Sequence, residues 1–597
     1  MLIAAVGIGL VTIDVRGFLE RQASSRSSRD VHIGGFAIVW GNPIVLQLSD
    51  VRIGNAPWGK APELLRFTHL TTEIEPWPLL HGSLRLRRIV LEQPQIALER
   101  DHNHVGNWKL HPDQPAGPES PRRAELPFIA DLVLHNGEIT FRTSSGALLH
   151  IRLDDVRLLA PTIDAPAILS AKGGYNDVPL QMDLRTQPFA VLWQTSVPFG
   201  FGLTAKAANT ALTFQGTATA PLDFDGLKGD FAVQSGRFDD WMSIFGAPGE
   251  IPISLRLAGM LAKQGDHWGL PDARGEVAGS DFSGLLALDE GKSGTPDHFT
   301  FDLKFAPIDL KHLVSLASAG PPRPAGTKGA KLHVEEHPGE TYDVRLGVRQ
   351  ARYGDLQLGE LRLAAALAPA KLSISELSFR LAGGALRGSG SVEPAGTSGR
   401  AAFDAAITQA DAAVFAAMLG GGAPLLSGRL DGSAKLEMTG ETLSDGLRAS
   451  RGQIVLGITQ GRISRDLLER VSTNLSQLLR HGKGSATLVC FLSVANIRDG
   501  QASVAPLRLR TPEGNFFGGG AIDLVHSRIN LQLKSEAKST GFFALDLPVQ
   551  ITGSLTNPQA GLAPSFEPAD IRAQAIRNIA QLVPATRRLI DNSPCLK

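Results

Sequence analysis

The chain has 597 residues with 59 Lys and Arg against 59 Asp and Glu, so it carries no net charge at neutral pH. That balance argues against a dedicated nucleic-acid-binding protein, which normally has an excess of basic residues. Hydrophobic residues make up 43% of the chain but are not gathered into repeated apolar blocks, which excludes a polytopic helical membrane protein. Two cysteines are too few for a disulfide-rich scaffold or for a zinc site made only of cysteine.

An uncharged, mostly apolar run opens the chain and ends at Asp14. As a helix it would reach about 20 Å, short of the roughly 30 Å hydrocarbon core of a bilayer. A signal peptide needs basic residues before its apolar region, whereas here Arg16 and Arg21 follow it. We interpret the run as part of an N-terminal membrane anchor; the alternatives are a signal-peptide remnant and a buried segment. The anchor side chains are those of Leu2, Ile3, Val6, Ile8, Leu10, Val11 and Ile13.

Beyond this run, the dominant pattern is strict alternation of apolar and polar residues, which is typical of β-strands with one buried face. Clear examples are residues 84–87, 344–348, 507–510 and 529–534. The pairs Asn136-Gly137 and Asp499-Gly500 are typical of tight hairpin turns. The sequence therefore predicts a mainly β fold, in which many short antiparallel strands form an elongated, curled sheet.

Helical periodicity is confined to two segments of the C-terminal third. An apolar stripe from Leu467 to Leu479 is followed by Gly482, and a second stripe from Ile571 to Val583 is followed by Pro584. Glycine and proline are typical residues beyond a helix end, so the pattern predicts two helices that stop there. We expect each helix to cap or plug the end of a sheet; the alternative is a membrane-surface or partner-binding role.

A weak internal repeat accompanies the strands. Phe301-Asp302 and Asp309 recur as Phe403-Asp404 and Asp411, a shift of 102 residues. The repeat favours a sheet in which each unit packs mainly on its neighbours. The Pro-rich residues 111–127 predict a loop or hinge.

No catalytic constellation is recognisable, so the sequence predicts a protein that is not an enzyme and uses no cofactor or metal. The common hydrolase, zinc-protease and phosphate-loop motifs are missing. Residues 535–538 match the Ser-x-x-Lys pattern of penicillin-recognising enzymes without its companion motifs. His102 and His104 are more simply surface-loop residues than metal ligands.

The two cysteines leave two interpretations open. Cys490 lies in an apolar strand and Cys595 lies at the C-terminus, so they are either one buried and one exposed thiol or a single disulfide. In an oxidising compartment, closing a loop of about 100 residues would stabilise the fold by up to about 4.7 kcal/mol in the chain-entropy model.

Taken together, the motifs resemble the AsmA family of Gram-negative inner-membrane-anchored proteins. The N-terminal part of the resemblance comprises residues 14, 29–35, 48–58, 78–82, 89–94 and 106–108. The C-terminal part comprises residues 461–479, 490, 499–500, 518–524 and 548–558. The two parts cover about half of the chain, and Ser28 departs from the family by standing where a glycine is usual.

The resemblance implies a periplasmic β-groove related to bridge-like lipid-transfer proteins, and it suggests a division of the chain. The expected segments are an anchor (1–19), an N-terminal β module (20–110), a loop (111–127), a central repetitive β-groove (128–370), a C-terminal β region (371–566) and an amphipathic helix with tail (567–597). The groove is expected to be lined by alternating apolar residues, among them Leu507, Leu509, Ile529, Leu531 and Leu533.

The function implied is support of outer-membrane biogenesis by moving phospholipids along the groove, without catalysis. The expected partners are phospholipids, the inner membrane and outer-membrane assembly components, with no nucleic acid. The first alternative is an assembly factor that regulates targeting or folding of outer-membrane proteins without carrying lipid. A polysaccharide hydrolase on a β scaffold is a third, weaker hypothesis.

Overall fold

The computed structural model describes most of the chain in two compact units. Unit 1 comprises Met1–Thr300 and Leu313–Pro321, and unit 2 comprises Phe301–His312 and Pro322–Lys597. The described residues are 15–81, 84–101, 105–108, 128–142, 148–175, 178–194, 196–221, 224–237, 254–292, 295–310, 331–334, 339–354, 356–381, 383–414, 426–464, 485–512, 514–536, 548–554, 557–591 and 593–596.

Unit 1 consists of sixteen described strands and three short helices. The strands are β1 (Val31–Val39), β2 (Ile44–Gly54), β3 (Glu63–Ile74), β4 (Arg85–Glu92), β5 (Gln95–Glu99), β6 (Phe128–Ile129), β7 (Asp131–Arg142), β8 (Leu148–Leu159), β9 (Pro166–Tyr175), β10 (Val178–Pro188), β11 (Phe199–Ala207), β12 (Thr210–Ala220), β13 (Asp225–Ser235), β14 (Leu255–Gln264), β15 (His267–Val277) and β16 (Ser280–Asp289). The helices are α1 (Val15–Ser27), α2 (Pro76–Leu80) and α3 (Phe189–Leu192).

Unit 2 repeats the same style of structure, and the boundary between the units falls within β17 (Asp297–Phe305). Its further strands are β18 (Ile308–Asp309), β19 (Glu340–Tyr353), β20 (Leu356–Ala368), β21 (Lys371–Leu381), β22 (Gly384–Ala395), β23 (Ser398–Asp411), β24 (Leu426–Gly440), β25 (Arg451–Ser464), β26 (Ser485–Arg498), β27 (Gln501–Arg510), β28 (Asn515–Asp523), β29 (Arg528–Ser535), β30 (Val549–Ser554) and β31 (Asn557–Leu562). The described helices are α4 (Leu443–Arg448), α5 (Pro568–Ala580) and α6 (Pro584–Asp591).

Neighbouring strands pair mostly antiparallel and in sequence order. In unit 1, β1 to β4 form a meander, β4 and β5 both pair parallel with β7, and β7 to β16 continue antiparallel. In unit 2, β19 to β31 form an antiparallel series. The predicted mainly β, antiparallel fold is therefore confirmed.

The two predicted hairpin turns differ in outcome. Asp499 and Gly500 have φ angles of 51° and 75° and join β26 to β27, as predicted. Asn136 also has a positive φ of 54°, but it lies inside β7, whose pairing with β8 continues on both sides of it. The prediction of a hairpin at Asn136-Gly137 is wrong, because a left-handed residue also fits a bulge within a continuous strand.

Helix α1 lies against β1 at the start of the described chain. The Glu20 carboxylate accepts a hydrogen bond from the backbone N–H of Ile33 at 2.7 Å, and the Ser24 hydroxyl accepts one from Val31 at 3.0 Å. Leu19, the last residue of the segment predicted as the anchor, packs on the buried cluster of β1 to β3. Within the described segments, no helix has the length and apolar composition needed to cross a membrane. The predicted anchor residues from Leu2 to Ile13 lie outside the described residues.

The predicted helices of the C-terminal third are accounted for in part. The segment from Leu467 to Gly482 lies outside the described residues, as do residues 109–127, which include the predicted loop. Helix α5 contains the start of the second stripe and ends at Ala580, before Pro584, so the predicted stop is confirmed. Pro584 is also the first residue of α6, a helix that the sequence pattern did not predict, and proline is well suited to the first turn of a helix.

Candidate functional site

Cross-strand register builds a continuous apolar row through unit 1. Residues paired across neighbouring strands lie on the same face of a sheet. One such row, here called row A, crosses fourteen strands and contains only apolar residues and glycine. Row A is Phe36, Leu48, Leu70, Leu91, Leu134, Val156, Ala171, Met182, Ala205, Leu212, Val233, Leu257, Gly275 and Phe282.

A second row runs beside it on the same face, two residues away along each strand. Row B is Ile38, Leu46, Thr72, Ile89, Leu132, Leu158, Leu169, Leu184, Leu203, Phe214, Phe231 and Gly259. Thr72 is its single polar member. Two residues of a strand span about 7 Å and neighbouring strands lie about 4.8 Å apart, so the rows form a narrow apolar band about 60 Å long across the strands.

The opposite face of the same strands is more polar, although it includes exposed apolar side chains such as Met260. One of its rows contains Asp183, Thr204, Thr213, Ala232, Ala258 and Arg274, and its polar members are exposed to solvent. Within rows A and B, by contrast, most side chains are half-buried, as Met182 and Leu203 illustrate. Half-burial leaves part of each apolar side chain open to further apolar contact.

Among the described residues, no packed apolar cluster includes a member of β8 to β16. An open cavity of about 650 Å³ lies on β10 to β15 and is lined mostly by residues of the opposite face, such as Asp183, Thr204 and Arg274, so it does not mark the apolar band. Nowhere in the described ranges do three or more His, Cys, Asp or Glu residues come together in a way that could hold a metal.

Unit 2 has a comparable row that becomes buried toward its C-terminal strands. Row C is Leu346, Leu363, Leu377, Gly388, Ala405, Ala434, Ile454, Ala495, Val504, Gly520, Leu531 and Ile551. It is half-buried from Leu346 to Ile454, whereas Ala495, Val504 and Leu531 belong to a packed apolar core. The apolar face is therefore covered by the chain itself around β26 to β29.

The five residues predicted to line a groove lie in this packed core. Leu507, Leu509, Leu531 and Leu533 are each less than 10% exposed, and Ile529 packs against the same cluster. The alternation of these residues correctly predicted β-strands. The structure places them in a packed core, however, and not along an open groove. Alternation shows which side chains share a face and does not show whether that face is covered.

A buried carboxylate holds the N-terminal strands together. Glu99 accepts hydrogen bonds from the backbone N–H groups of Lys60 and Ala61 at 2.9 and 2.8 Å and from the Asn55 amide at 2.8 Å, with the Arg142 guanidinium at 3.7 Å. Burial by itself raises the pKa of Glu99, but these donors outweigh it and hold the pKa below its usual value. The carboxylate is therefore a structural anion.

Asn107 completes this network from a fully buried position. Its amide donates to the Asn55 side-chain oxygen at 2.8 Å and to the Ala97 carbonyl at 2.7 Å, and its oxygen accepts from the Glu99 N–H at 2.9 Å. Sequence reasoning singled out both asparagines as parts of a family motif. The structure gives them a structural role, because every polar atom of the Asn107 amide has a partner within the protein.

The network predicts a specific acid sensitivity. Because the pKa of Glu99 is lower in the folded chain than in the unfolded chain, its stabilising contribution is complete above the unfolded value of about 4.5 and is lost as the pH falls through the folded value. We expect Glu99→Gln to destabilise the protein at pH 7 and to reduce the further loss of stability on acidification. Urea unfolding of both proteins at neutral pH and near pH 3 measures this. Equal pH dependence of the two would contradict it.

The two cysteines form a disulfide that holds the C-terminal helices on the sheet. Cys490 of β26 and Cys595 are joined with a Cα–Cα distance of 5.7 Å. Both belong to a buried cluster with Leu582 and Ile590, on the side of the sheet covered by α5 and α6. Asn578 of α5, also buried, donates to two backbone carbonyls of β27, at 3.0 and 2.8 Å.

The fold and its rows define a class of protein. It is a mainly antiparallel β protein with a continuous, partly exposed apolar band and with C-terminal helices that a disulfide holds on the sheet. Residues 1–156 match the model of the AsmA family. The chain is also 22% identical, over 602 residues, to the AsmA family protein YhjG of Escherichia coli (strain K12), covering 91% of this chain and 86% of that protein. The resemblance to the AsmA family predicted from the sequence is thereby confirmed. No solved structure gives a significant match.

Proposed function

We propose that this chain is a non-enzymatic carrier of phospholipids in the Gram-negative envelope. In this proposal the protein is anchored in the inner membrane, its bulk lies in the periplasm, and it supports outer-membrane biogenesis. It needs no cofactor, because transfer along an apolar surface breaks no bond. The observation that supports this proposal is the apolar band formed by rows A and B in unit 1.

The dimensions and chemistry of the band support acyl chains as its ligand. Its width of about 7 Å suits a narrow hydrocarbon chain, and its length of about 60 Å exceeds the roughly 15 Å that the tails of one leaflet occupy in a bilayer. The side chains are aliphatic and aromatic, so contact with hydrocarbon removes apolar area from water at about 25 cal/mol per Å². Several lipids in succession would fit along such a band.

Neighbouring residues on one strand provide a matched test. Leu203 belongs to row B, and Thr204 is exposed on the opposite face of β11. A photo-crosslinking amino acid at position 203 of the full chain, expressed in bacteria and irradiated, is expected to give phospholipid adducts by mass spectrometry. The same amino acid at position 204 is expected to give few. Absence of lipid adducts at 203, or equal adducts at both positions, would reject the proposal.

An assembly factor that regulates targeting or folding of outer-membrane proteins without carrying lipid is the second candidate. The packed core around β26 to β29 favours it, because there the apolar face is already covered by the chain. Protein adducts at position 203 in place of lipid adducts would support this candidate.

A further inference from the structure

Two tryptophans are strongly exposed at one end of the β1–β4 meander. Trp40 is 62% exposed and Trp77 is 67% exposed, which is unusual for the largest apolar side chain. Val39, which precedes Trp40, and Leu84, just before β4, are also exposed. These four residues are here called the tryptophan end.

Strand pairing brings the four residues to the same end of the sheet. Val39 pairs with Val45 across the turn that contains Trp40. At this end Ile74 pairs with Leu86, and the chain between them contains α2 with Trp77. Trp58 lies in the connection between β2 and β3, and it is therefore at the opposite end of the same strands.

The N-terminus of α1 faces the tryptophan end. Ser24 bonds Val31 at the start of β1, and Glu20 bonds Ile33. Arg16 bonds the carbonyl of Gly34, still further along the strand. The N-terminus of α1 thus points in the direction in which β1 runs, toward Trp40. The uncharged residues 1–13 precede α1 in the sequence.

The chemistry of this end suits a phospholipid surface. Tryptophan partitions to the boundary between headgroups and hydrocarbon, where its ring is apolar and its N–H can be hydrated. Arg85 and Arg87 are exposed on β4, directly after Leu84, where they can meet anionic headgroups. A partner protein would meet the same residues, but the apolar run that precedes α1 in the sequence favours a bilayer.

We propose that the tryptophan end lies on the inner-membrane surface, with Trp40 and Trp77 inserted at the headgroup level. Ile38 and Leu46, the first members of row B, lie next to this end. Where the proposed lipid transport holds, phospholipids would therefore enter the band at β1 and β2. That consequence rests on the proposed function, whereas the membrane contact does not.

Brominated lipids test the contact, because bromine quenches tryptophan only at short range. The full chain would be reconstituted into phosphatidylethanolamine and phosphatidylglycerol vesicles with brominated acyl chains. Trp40→Phe combined with Trp77→Phe is expected to remove most of the bromine-dependent quenching of the parent. Trp58→Phe, an exposed tryptophan at the other end, is expected to leave quenching unchanged.

Phenylalanine keeps these exposed positions apolar, and circular dichroism of each variant verifies that the fold is intact. Equal quenching of the parent and the double variant would overturn the proposal. Failure of the membrane-contact proposal can be distinguished from failure of the lipid-transport proposal. Crosslinks at position 203 test lipid binding on the band, whereas quenching tests membrane contact at the tryptophan end.

Discussion

Breaking the bridge between Cys490 and Cys595 is expected to lower the free energy of unfolding by about 2–5 kcal/mol. The bridge closes a loop of 105 residues, so its loss gives the unfolded chain much greater conformational freedom. It also frees α5 and α6 from their covalent connection to β26. We expect the unfolding midpoint to fall and the amides of both helices to lose protection against hydrogen exchange.

Reduction of the parent protein separates this effect from a packing defect. Replacing Cys490 with alanine would also leave a small cavity in a fully buried cluster, whereas reduction removes the cross-link and keeps both sulfur atoms. Oxidised and reduced parent are therefore compared first, and Cys490→Ala with Cys595→Ala second. Identical unfolding curves for the oxidised and reduced protein would contradict the expected effect.

A charge placed in row A is expected to reduce bound phospholipid at least about tenfold. Leu212→Asp puts a carboxylate between Ala205 and Val233, where an acyl chain would have to desolvate it. A tenfold loss corresponds to about 1.4 kcal/mol, well below the cost of burying an unpaired charge. Phospholipid per mole of purified protein, measured by mass spectrometry, gives the result.

The neighbouring residue supplies the control. Thr213→Asp introduces the same charge on the same strand but on the exposed opposite face. It is expected to retain the lipid content of the parent. If both variants keep their lipid while remaining folded, or both lose it, row A is not the binding surface.

Local patterns in the sequence were sufficient to predict the strands, because alternation is a property of single strands. The alternation in residues 529–534 identified β29, and Asp499-Gly500 identified the turn between β26 and β27, since both patterns depend on neighbouring residues only. The hairpin prediction at Asn136-Gly137 was wrong for the same reason. A hairpin turn and a β-bulge both accept a residue with left-handed backbone angles, and only the pairing with the partner strand distinguishes them.

Features that depend on distant residues could not be derived in this way. The rows exist only once the register between strands is known, so Met182 and Ala205 could not be assigned to one row from their positions in the chain. Leu531 alternates like Leu203, yet the first is in a packed core and the second is half-exposed. Likewise, the sequence left the state of the cysteines open, because pairing requires a short Cα–Cα distance between residues of different elements.

The central claim is that the apolar band of unit 1 holds lipid, and native mass spectrometry of the full chain tests it most directly. The protein would be extracted from bacterial membranes in mild detergent, and its bound molecules would be released and identified in the gas phase. We predict several phospholipids on each folded chain, with fewer on Leu212→Asp and an unchanged number on Thr213→Asp. A folded, lipid-free parent would contradict the claim.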